Sequence, residues 1–286
     1  MPDAGNAAPG GGAPDGKAAL VAALAADLAA ETASLAPLLT GLSDAGWLAP
    51  TPAAGWTIRD QVTHLAFFND VTALALQDPA GFAARRDELL ALGDRFPDVI
   101  AERFRHLAGP DARRWFTTSC TRLASACRAA GPAARLPWFG PDFSVPAAIT
   151  GRIMETWAHG EDITAATGTA RPLTARLRHV AEIGIRARRF SFASRGLPVP
   201  PEPVYVELAA PDGSTWTWGA ADAVNRVTGD ALDFCLVVTQ RRNVADTGLR
   251  VAGDGATAWI AIAQAFAGRP TDPPPPGSQP GDGSRP

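Results

Sequence analysis

The spacing of hydrophobic residues divides the chain into two parts. In the first part, apolar positions recur every three or four residues, which is the period of an amphipathic helix. The first helix is predicted from Ala18 to about Leu42, with a leucine-rich apolar face made of Leu20, Leu24, Leu28, Leu35, Leu38 and Leu39. Further helices are predicted over 57–76, 82–108 (interrupted near Phe96-Pro97), 111–129 and 144–167. This pattern predicts a helical bundle with one long, irregular connection, LPWFGPDFSVP.

Two of these helices have recognisable start and stop signals. Thr57 is followed three residues later by Asp60, which is the spacing of a capping box. Ser144 is placed to cap the last helix of the bundle, with Pro146 in its first turn and Gly168 just after its end. These signals fix where each helix begins, and therefore which of its residues share a face.

The pattern changes in the C-terminal part. One more helix is predicted over 173–194, and VYVELAAPDGSTWTWG then forms two alternating runs around an Asp-Gly pair, which predicts a β-hairpin. ALDFCLVVTQRR fits a buried helix or a strand, TGLRVAGD fits a strand, and ATAWIAIAQAFAG fits a helix ended by Gly268. The predicted fold class is therefore α+β, with a helical bundle over 17–168 and a small α+β domain over 169–269.

Both ends of the chain have a different composition from the rest. Residues 1–16 and 270–286 consist mainly of Gly, Pro, Ala and Asp. Such segments bury too little apolar surface to offset their conformational entropy, so both are predicted to be disordered tails.

Composition excludes several classes of function. The net charge is −3 and no run of Lys or Arg is present, so no nucleic-acid partner is expected. No signal peptide is evident, and no stretch approaches the ~20 apolar residues of a membrane span. The three cysteines, Cys120, Cys127 and Cys235, are odd in number and form no CxxC pair. A cytoplasmic protein with buried free thiols is therefore predicted.

Candidate chemistry comes from three residues on two predicted helices. The chain has only four histidines, and two of them, His64 and His159, lie in well-defined helical segments. Glu155 precedes His159 by four residues, so both side chains project from one face of their helix. Helical bundles build metal sites from such inward-facing side chains, and three protein ligands leave a position open for water or substrate. The spacing indicates a catalytic metal site. The alternative, that these are ordinary polar helix residues, stays open at this point.

The neighbouring polar residues have two interpretations each. Asp162 lies three residues after His159 and either orients that imidazole or is a surface or capping residue. Asp60 lies one turn before His64, where a capping role is favoured. His106 and His179 lie among arginines near helix ends and are not predicted to be ligands.

Two segments together resemble a known family. GWTIRDQVTHLAFF, followed by ETWAHGEDI, is similar to the DinB-like metal-binding bundle of the mycothiol-dependent maleylpyruvate isomerase family. The resemblance covers about residues 18–168, and extends more weakly over the C-terminal part, which resembles that family's sterol-carrier-like domain. It implies that His64, Glu155 and His159 bind a divalent metal, usually zinc. It also implies an arginine from the second domain at the site, for which Arg241 and Arg242 are both candidates.

The expected activity follows from this site. A low-molecular-weight thiol such as mycothiol would lose its proton on binding a dication, and the thiolate would isomerise a small electrophile or be transferred to it. One alternative is a thiol-independent metal enzyme, such as a hydrolase, a lyase or a catalyst of a biosynthetic rearrangement or cyclisation. Another is a non-catalytic protein that binds a metal and an apolar ligand. The expected partners are small molecules, and the chain is expected to be a monomer or homodimer.

Overall fold

The computed structural model describes residues 14–278, so 1–13 and 279–286 of the predicted tails lie outside it. The first part of the chain forms α1 (Pro14–Ser34), α2 (Ala36–Leu39), α3 (Asp44–Trp47), α4 (Ile58–Gln77), α5 (Pro79–Leu90), α6 (Phe96–Arg103), α7 (Gly109–Ala130), a short hairpin of β1 (Arg135–Leu136) and β2 (Phe143–Ser144), and α8 (Val145–Thr167). The second part forms α9 (Leu177–Arg186), α10 (Arg188–Ala193), β3 (Val204–Ala209), β4 (Thr215–Trp218), β5 (Asn225–Asp230), α11 (Ala231–Val238), a 3-10 turn (Val244–Asp246), β6 (Arg250–Ala252) and α12 (Asp254–Ile260). This architecture confirms the predicted α+β fold class.

The bundle is built around α4. This helix packs against α5, α6, α7 and α8, and most extensively against α7. Because it has neighbours on several sides, most of its residues are buried, including polar ones such as Asn69 and Thr72. The apolar interior lies in three clusters along the helices, centred on Leu28, Leu65 and Phe82. The polar residues of α4 therefore lie inside the bundle, where they must be paired.

Both predicted helix starts are confirmed. The Thr57 hydroxyl accepts the Asp60 N–H, and the Asp60 carboxylate accepts the Thr57 N–H, which completes a capping box. The other oxygen of Asp60 accepts from Arg105 at 3.1 Å. Ser144 caps α8 by accepting the Ala147 N–H, and Gly168 ends it in the left-handed conformation with φ 65°. These caps set the starting point of α4 and α8, and so the faces that the two helices turn toward each other.

The second part contains a four-stranded sheet in the order β4-β3-β5-β6. The predicted hairpin is present as the antiparallel pair β3–β4, with Val206 opposite Trp218. The strand β5, which sequence reasoning missed, pairs parallel to β3. It was missed because NRVTGD has a single large apolar residue, Val227, facing the core. The segment left open between helix and strand is the helix α11, which packs under the sheet.

Three predicted helices are shorter than expected. The first ends at Ser34, because Pro37 has no N–H to continue the helical hydrogen bonds, and its Leu20 is 49% exposed instead of buried. The helix predicted over 173–194 is two helices that meet at Ala187. The last helix ends at Ile260. The chain then turns toward α11, where the Ala265 N–H donates to Val238 O.

The first helical segment corrects the expectation about membrane spans. Gly16–Leu39 has 24 residues and a mean hydropathy of 1.5, so it is long and apolar enough to cross a membrane by length and composition. Its Leu24 and Leu28 are nevertheless buried in a cluster with Leu123 of α7 and Ile149 of α8. A core helix of a globular protein meets the same criteria, so the segment alone does not indicate a membrane protein.

The two parts of the chain share α8. Met154, Trp157 and Ala158 of this helix are buried in the same apolar cluster as Val206 and Phe234 of the sheet domain. A buried ion-pair network crosses the same boundary, since Arg171 pairs with Glu31 of α1 at 2.9 Å and with Glu161 of α8 at 2.8 Å. The position of α8 is therefore fixed from both sides.

The C-terminal segment is held more firmly than predicted. The Thr271 hydroxyl donates to Gln240, Pro274 O accepts from Asn243, and the Gly277 N–H donates to Asp246. The prediction of a free tail from residue 270 is therefore wrong for 271–278, whose backbone is paired with the loop after α11.

Gly184→Ala should destabilise the protein. An added Cβ would lie 2.6 Å from a methyl carbon of the buried Val238, so α9 and α11 would have to move apart, at a cost of about 1–3 kcal/mol. Gly151→Ala in α8 is the matched control, because its Cβ meets nothing within 4 Å and alanine is the better helix former by about 1 kcal/mol. Urea unfolding of both variants measures the difference. Equal free energies of unfolding for Gly184→Ala and Gly151→Ala would contradict the packing of α9 on α11.

Candidate metal centre

The structure brings the three predicted residues together. His64 comes from α4, and Glu155 and His159 come from adjacent turns of α8. One possible ligand atom from each residue lies within 4.8 Å of the others. Glu155 Oε2 is 3.3 Å from His159 Nε2 and 3.7 Å from His64 Nε2. Two imidazoles therefore converge on one carboxylate where the helices face each other.

The electrostatics of the three side chains suit a cation. Burial, and the nearby charge of His159, lower the pKa of His64 to about 4, so its imidazole is neutral at neutral pH. Burial alone would raise the pKa of Glu155, but the close imidazoles of His159 and His64 hold it well below its usual range. A neutral imidazole next to an ionised carboxylate is the protonation state in which these groups bind a metal.

The donor set also contains an unsatisfied atom. Within the described range, His64 Nδ1 is buried and has no hydrogen-bond partner. A buried polar atom without a partner is costly, and it is unusual in a site whose other groups are so closely paired. The residues present therefore fit a divalent cation: two imidazoles and one carboxylate, with fewer protein ligands than a closed structural site has.

Aromatic side chains cover one side of the cluster. The Trp56 ring lies nearly parallel to His159, with centroids 5.9 Å apart, and 5.1 Å from His64. Phe68, one turn after His64 on α4, lies 4.7 Å from the His64 ring. The Trp56 Nε1–H donates to Asp98 at 2.8 Å, which fixes the indole. This apolar wall limits water on one side of the three polar side chains.

The C-terminal domain supplies a cation on another side. Arg241 binds Asp162 of α8 through two hydrogen bonds, from Nη2 at 2.8 Å and from Nε at 3.3 Å. Burial alone would lower the pKa of Arg241, but Asp162 raises it above its usual value. The same Asp162 oxygen lies 3.7 Å from His159 Nδ1. Arg241 therefore reaches the cluster through Asp162.

The second candidate arginine lies elsewhere. Arg242 is 3.8 Å from Asp233 at the start of α11, within its own domain. Of the two arginines that the sequence could not separate, Arg241 is the one beside the cluster. His106 and His179 have partners outside the cluster. His106 Nδ1 contacts Arg103 O at 2.9 Å, and His179 contacts Asp27 at 2.8 Å.

Two residues around the cluster were missed by sequence reasoning. Gln61 lies three residues before His64, and its Oε1 accepts from His159 Nδ1. Arg152 lies three residues before Glu155 and is buried, donating to Asn69 Oδ1 at 3.0 Å and to Leu65 O at 3.2 Å. The helical spacing that linked Glu155 to His159 also places both residues on the correct faces. They were missed because an amide and a guanidinium are not metal ligands.

The pKa of His64 predicts how the metal-free protein responds to acid. Since the folded value of about 4 lies below the ordinary 6.5, the unfolded chain binds a proton that the folded chain excludes between these pH values. This contribution to stability is present above pH 6.5 and is lost as pH falls toward 4, by about 1.4 kcal/mol per pH unit. Urea unfolding at several pH values gives the free energy of unfolding as a function of pH. Between pH 4 and 6.5 this free energy should change less steeply with pH in His64→Gln than in the wild type. Identical slopes would contradict a neutral buried His64.

Comparison with known proteins places the chain in a family. A family model described as the mycothiol maleylpyruvate isomerase N-terminal domain matches residues 28–164, which include all three residues of the cluster. A second model, described as wyosine base formation, matches residues 200–250, over the strands β3 to β5 and α11.

A relative extends this match over most of the chain. An uncharacterized protein of Mycobacterium tuberculosis, from strains CDC 1551 / Oshkosh and ATCC 25618 / H37Rv, is 42% identical over 245 residues, which cover 86% of this chain and 95% of the relative. The crystal structure of the mycothiol-dependent maleylpyruvate isomerase gives a TM-score of 0.47 at 14% identity, covering 84% of this chain and 92% of that chain. A histidine-to-alanine mutant of the same isomerase gives 0.48 at 15% identity, covering 80% and 90%. The chain belongs to the mycothiol-dependent maleylpyruvate isomerase family.

Proposed function

We propose that this protein is a metal-dependent enzyme that uses a low-molecular-weight thiol, mycothiol. The thiol either catalyses the isomerisation of a small electrophilic substrate or is itself transferred to that substrate. The observation that carries the proposal is the cluster of His64, Glu155 and His159, with Arg241 of the second domain beside it. Family membership supports the choice of thiol, because the matching family is described by its use of mycothiol.

His64, Glu155 and His159 are the residues that would hold the metal. Zinc suits two imidazoles and one carboxylate, and three protein ligands leave room for a further ligand, as in catalytic zinc sites. A dication with one anionic and two neutral ligands has a net charge of +1, which favours an anionic further ligand. When bound, the metal would supply the positive charge that lowers the pKa of a thiol.

Arg241 is suited to bind a carboxylate of the substrate or thiol. Its guanidinium already holds one carboxylate, Asp162, in a two-point contact, and its Nη1 donates to Thr239 O at 2.8 Å. These contacts fix the plane of the guanidinium beside the cluster. A planar, always-charged donor fork is the usual protein partner of a carboxylate.

The surrounding residues keep the reaction shielded from water. Trp56 and Phe68 cover the imidazoles, and Asp98 holds Trp56 in place. A thiolate that adds to an activated carbon–carbon double bond leaves a single bond free to rotate, and its departure restores the double bond as the other isomer. If the thiolate displaces a leaving group instead, the outcome is transfer. None of Cys120, Cys127 and Cys235 takes part, since all three are buried and burial raises the pKa of each thiol.

The metal content of the purified protein tests the centre. We expect about one equivalent of metal per chain by mass spectrometry, and its loss in His159→Ala, because two ligands cannot hold the ion as three do. His106→Ala is the matched control, since His106 is an exposed histidine that contacts the backbone of Arg103, and this variant should keep its metal. A wild-type protein that takes up no zinc on reconstitution would contradict the proposal.

Comparison of Arg241→Ala with Arg242→Ala tests whether the second domain contributes to activity. With maleylpyruvate and mycothiol as test substrates, Arg241→Ala should lower kcat/KM at least ~30-fold, because a buried charged hydrogen bond is worth about 2 kcal/mol or more. Arg242→Ala should change it less than about threefold, since its partner Asp233 lies in its own domain.

Two further measurements make this comparison decisive. Asp162→Asn added to Arg241→Ala removes the charge that is left unpaired on Asp162, so the activity it recovers shows how much of the loss comes from that charge. Activity that stays the same without thiol would point to a thiol-independent reaction at the same site.

A further inference from the structure

We infer that Gln61 is a positioning residue that keeps a proton on His159 Nδ1 and so directs Nε2 toward Glu155 and the inside of the cluster. Its side chain is fully buried in α4, and its Oε1 accepts from His159 Nδ1 across the α4–α8 interface. The inference concerns the hydrogen bonds of His159, and its consequence for metal affinity rests on the proposed function.

The orientation of the Gln61 amide is fixed by Thr51. The Thr51 hydroxyl has one proton, which it donates to Trp56 O at 3.0 Å. A carbonyl oxygen can only accept, so the hydroxyl oxygen is left to accept the Gln61 Nε2–H at 2.8 Å. The amide nitrogen of Gln61 must therefore face Thr51, and its oxygen must face His159.

This orientation determines the state of the imidazole. Because Oε1 of an amide is an acceptor only, His159 Nδ1 must carry a proton to be bonded to it. Nε2 is then the nitrogen that faces the cluster, 3.3 Å from Glu155 Oε2. A metal ligand needs an unprotonated nitrogen, and with the Nδ1 proton held by Gln61 the nitrogen left for a cation is Nε2.

The amide is the partner although a carboxylate lies nearby. The nearest oxygen of Asp162 is 3.7 Å from His159 Nδ1, beyond hydrogen-bond distance, and it is bonded to Arg241. Arg241 therefore holds Asp162 away from the role that carboxylates often take beside a metal-binding histidine. The imidazole is oriented by a neutral group and gains no extra negative charge from it.

The hydrogen bonds also connect the cluster to a loop. Thr51 belongs to the turn before α4, where its N–H donates to Trp56 O at 2.9 Å. Trp56 in turn stacks on His159. One turn thus orients both the amide that binds the imidazole edge and the indole that covers the imidazole face.

The tautomer is tested first in the metal-free protein. Nitrogen-15 NMR of the histidine rings, with His159 assigned from the signal lost in His159→Ala, should show a protonated Nδ1 in the wild type. In Gln61→Leu a large share of the molecules should lose the Nδ1 proton, because leucine cannot accept it. An unprotonated Nδ1 in the wild type, or an unchanged signal in Gln61→Leu, would overturn the inference.

Zinc affinity is the second test. Competition with a chelator should give a Kd for Zn²⁺ that is about 10- to 100-fold weaker in Gln61→Leu, the loss typical of removing a hydrogen-bond partner of a ligating histidine. Gln61→Glu should recover most of this loss, since a carboxylate oxygen still accepts from Nδ1. Gln264→Leu is the matched control: it removes a buried glutamine from the C-terminal domain, where it bonds to Phe266 O and Arg269 O.

The two tests separate this inference from the proposed function. Both leucine variants should lower the melting temperature, but only Gln61→Leu should weaken zinc binding. If the wild type binds zinc and Gln61→Leu binds it equally well, the positioning role is wrong and the metal centre stands. If the wild type binds no zinc, the proposed function fails, and the NMR result still decides whether Gln61 sets the tautomer.

Discussion

The packing of α4 against α8 is the constraint on which the rest of the structure depends. Most residues of both helices are buried, and both helices carry polar residues on the faces that meet. Arg152 of α8 is bonded to the side chain of Asn69 and to the backbone of Leu65 on α4. A shift of one helix along the other would leave these groups buried without partners, at a cost of about 1–3 kcal/mol each. The polar contacts therefore fix the relative position of the helices.

The same helix, α8, has a second face that explains why the two domains act together. Trp157 lies between Glu155 and His159 in sequence but is buried in the core of the sheet domain. Asp162, one turn after His159, binds Arg241 from that domain. Because the residues of the cluster and the residues that face the sheet domain alternate on one helix, Arg241 cannot move relative to the cluster without disturbing the core. The site is assembled from two domains but positioned by one helix.

The sequence predicted the residues that follow simple local rules. Thr57 and Ser144 are helix caps, Glu155 and His159 share a face, and the Asp-Gly turn forms a hairpin, since each of these depends on residues close in the chain. The strand β5 could not be predicted, because its place is set by parallel pairing with a distant strand. The choice of Arg241 over Arg242 could not be predicted either. Both follow α11, and only the docking of the domains decides which one meets Asp162.

The polar groups of the site are arranged for more than stability. Gln61 bonds to His159 at one end and to Thr51 at the other, and Asp162 bonds to Arg241, so the groups around the imidazole are paired. His64 Nδ1, in contrast, is buried and has no partner among the described residues. A bundle selected only for stability would fill this position with an apolar side chain, because a buried polar atom without a partner costs free energy. The stronger physical argument for a cation at the cluster is that two imidazoles converge there on one ionised carboxylate.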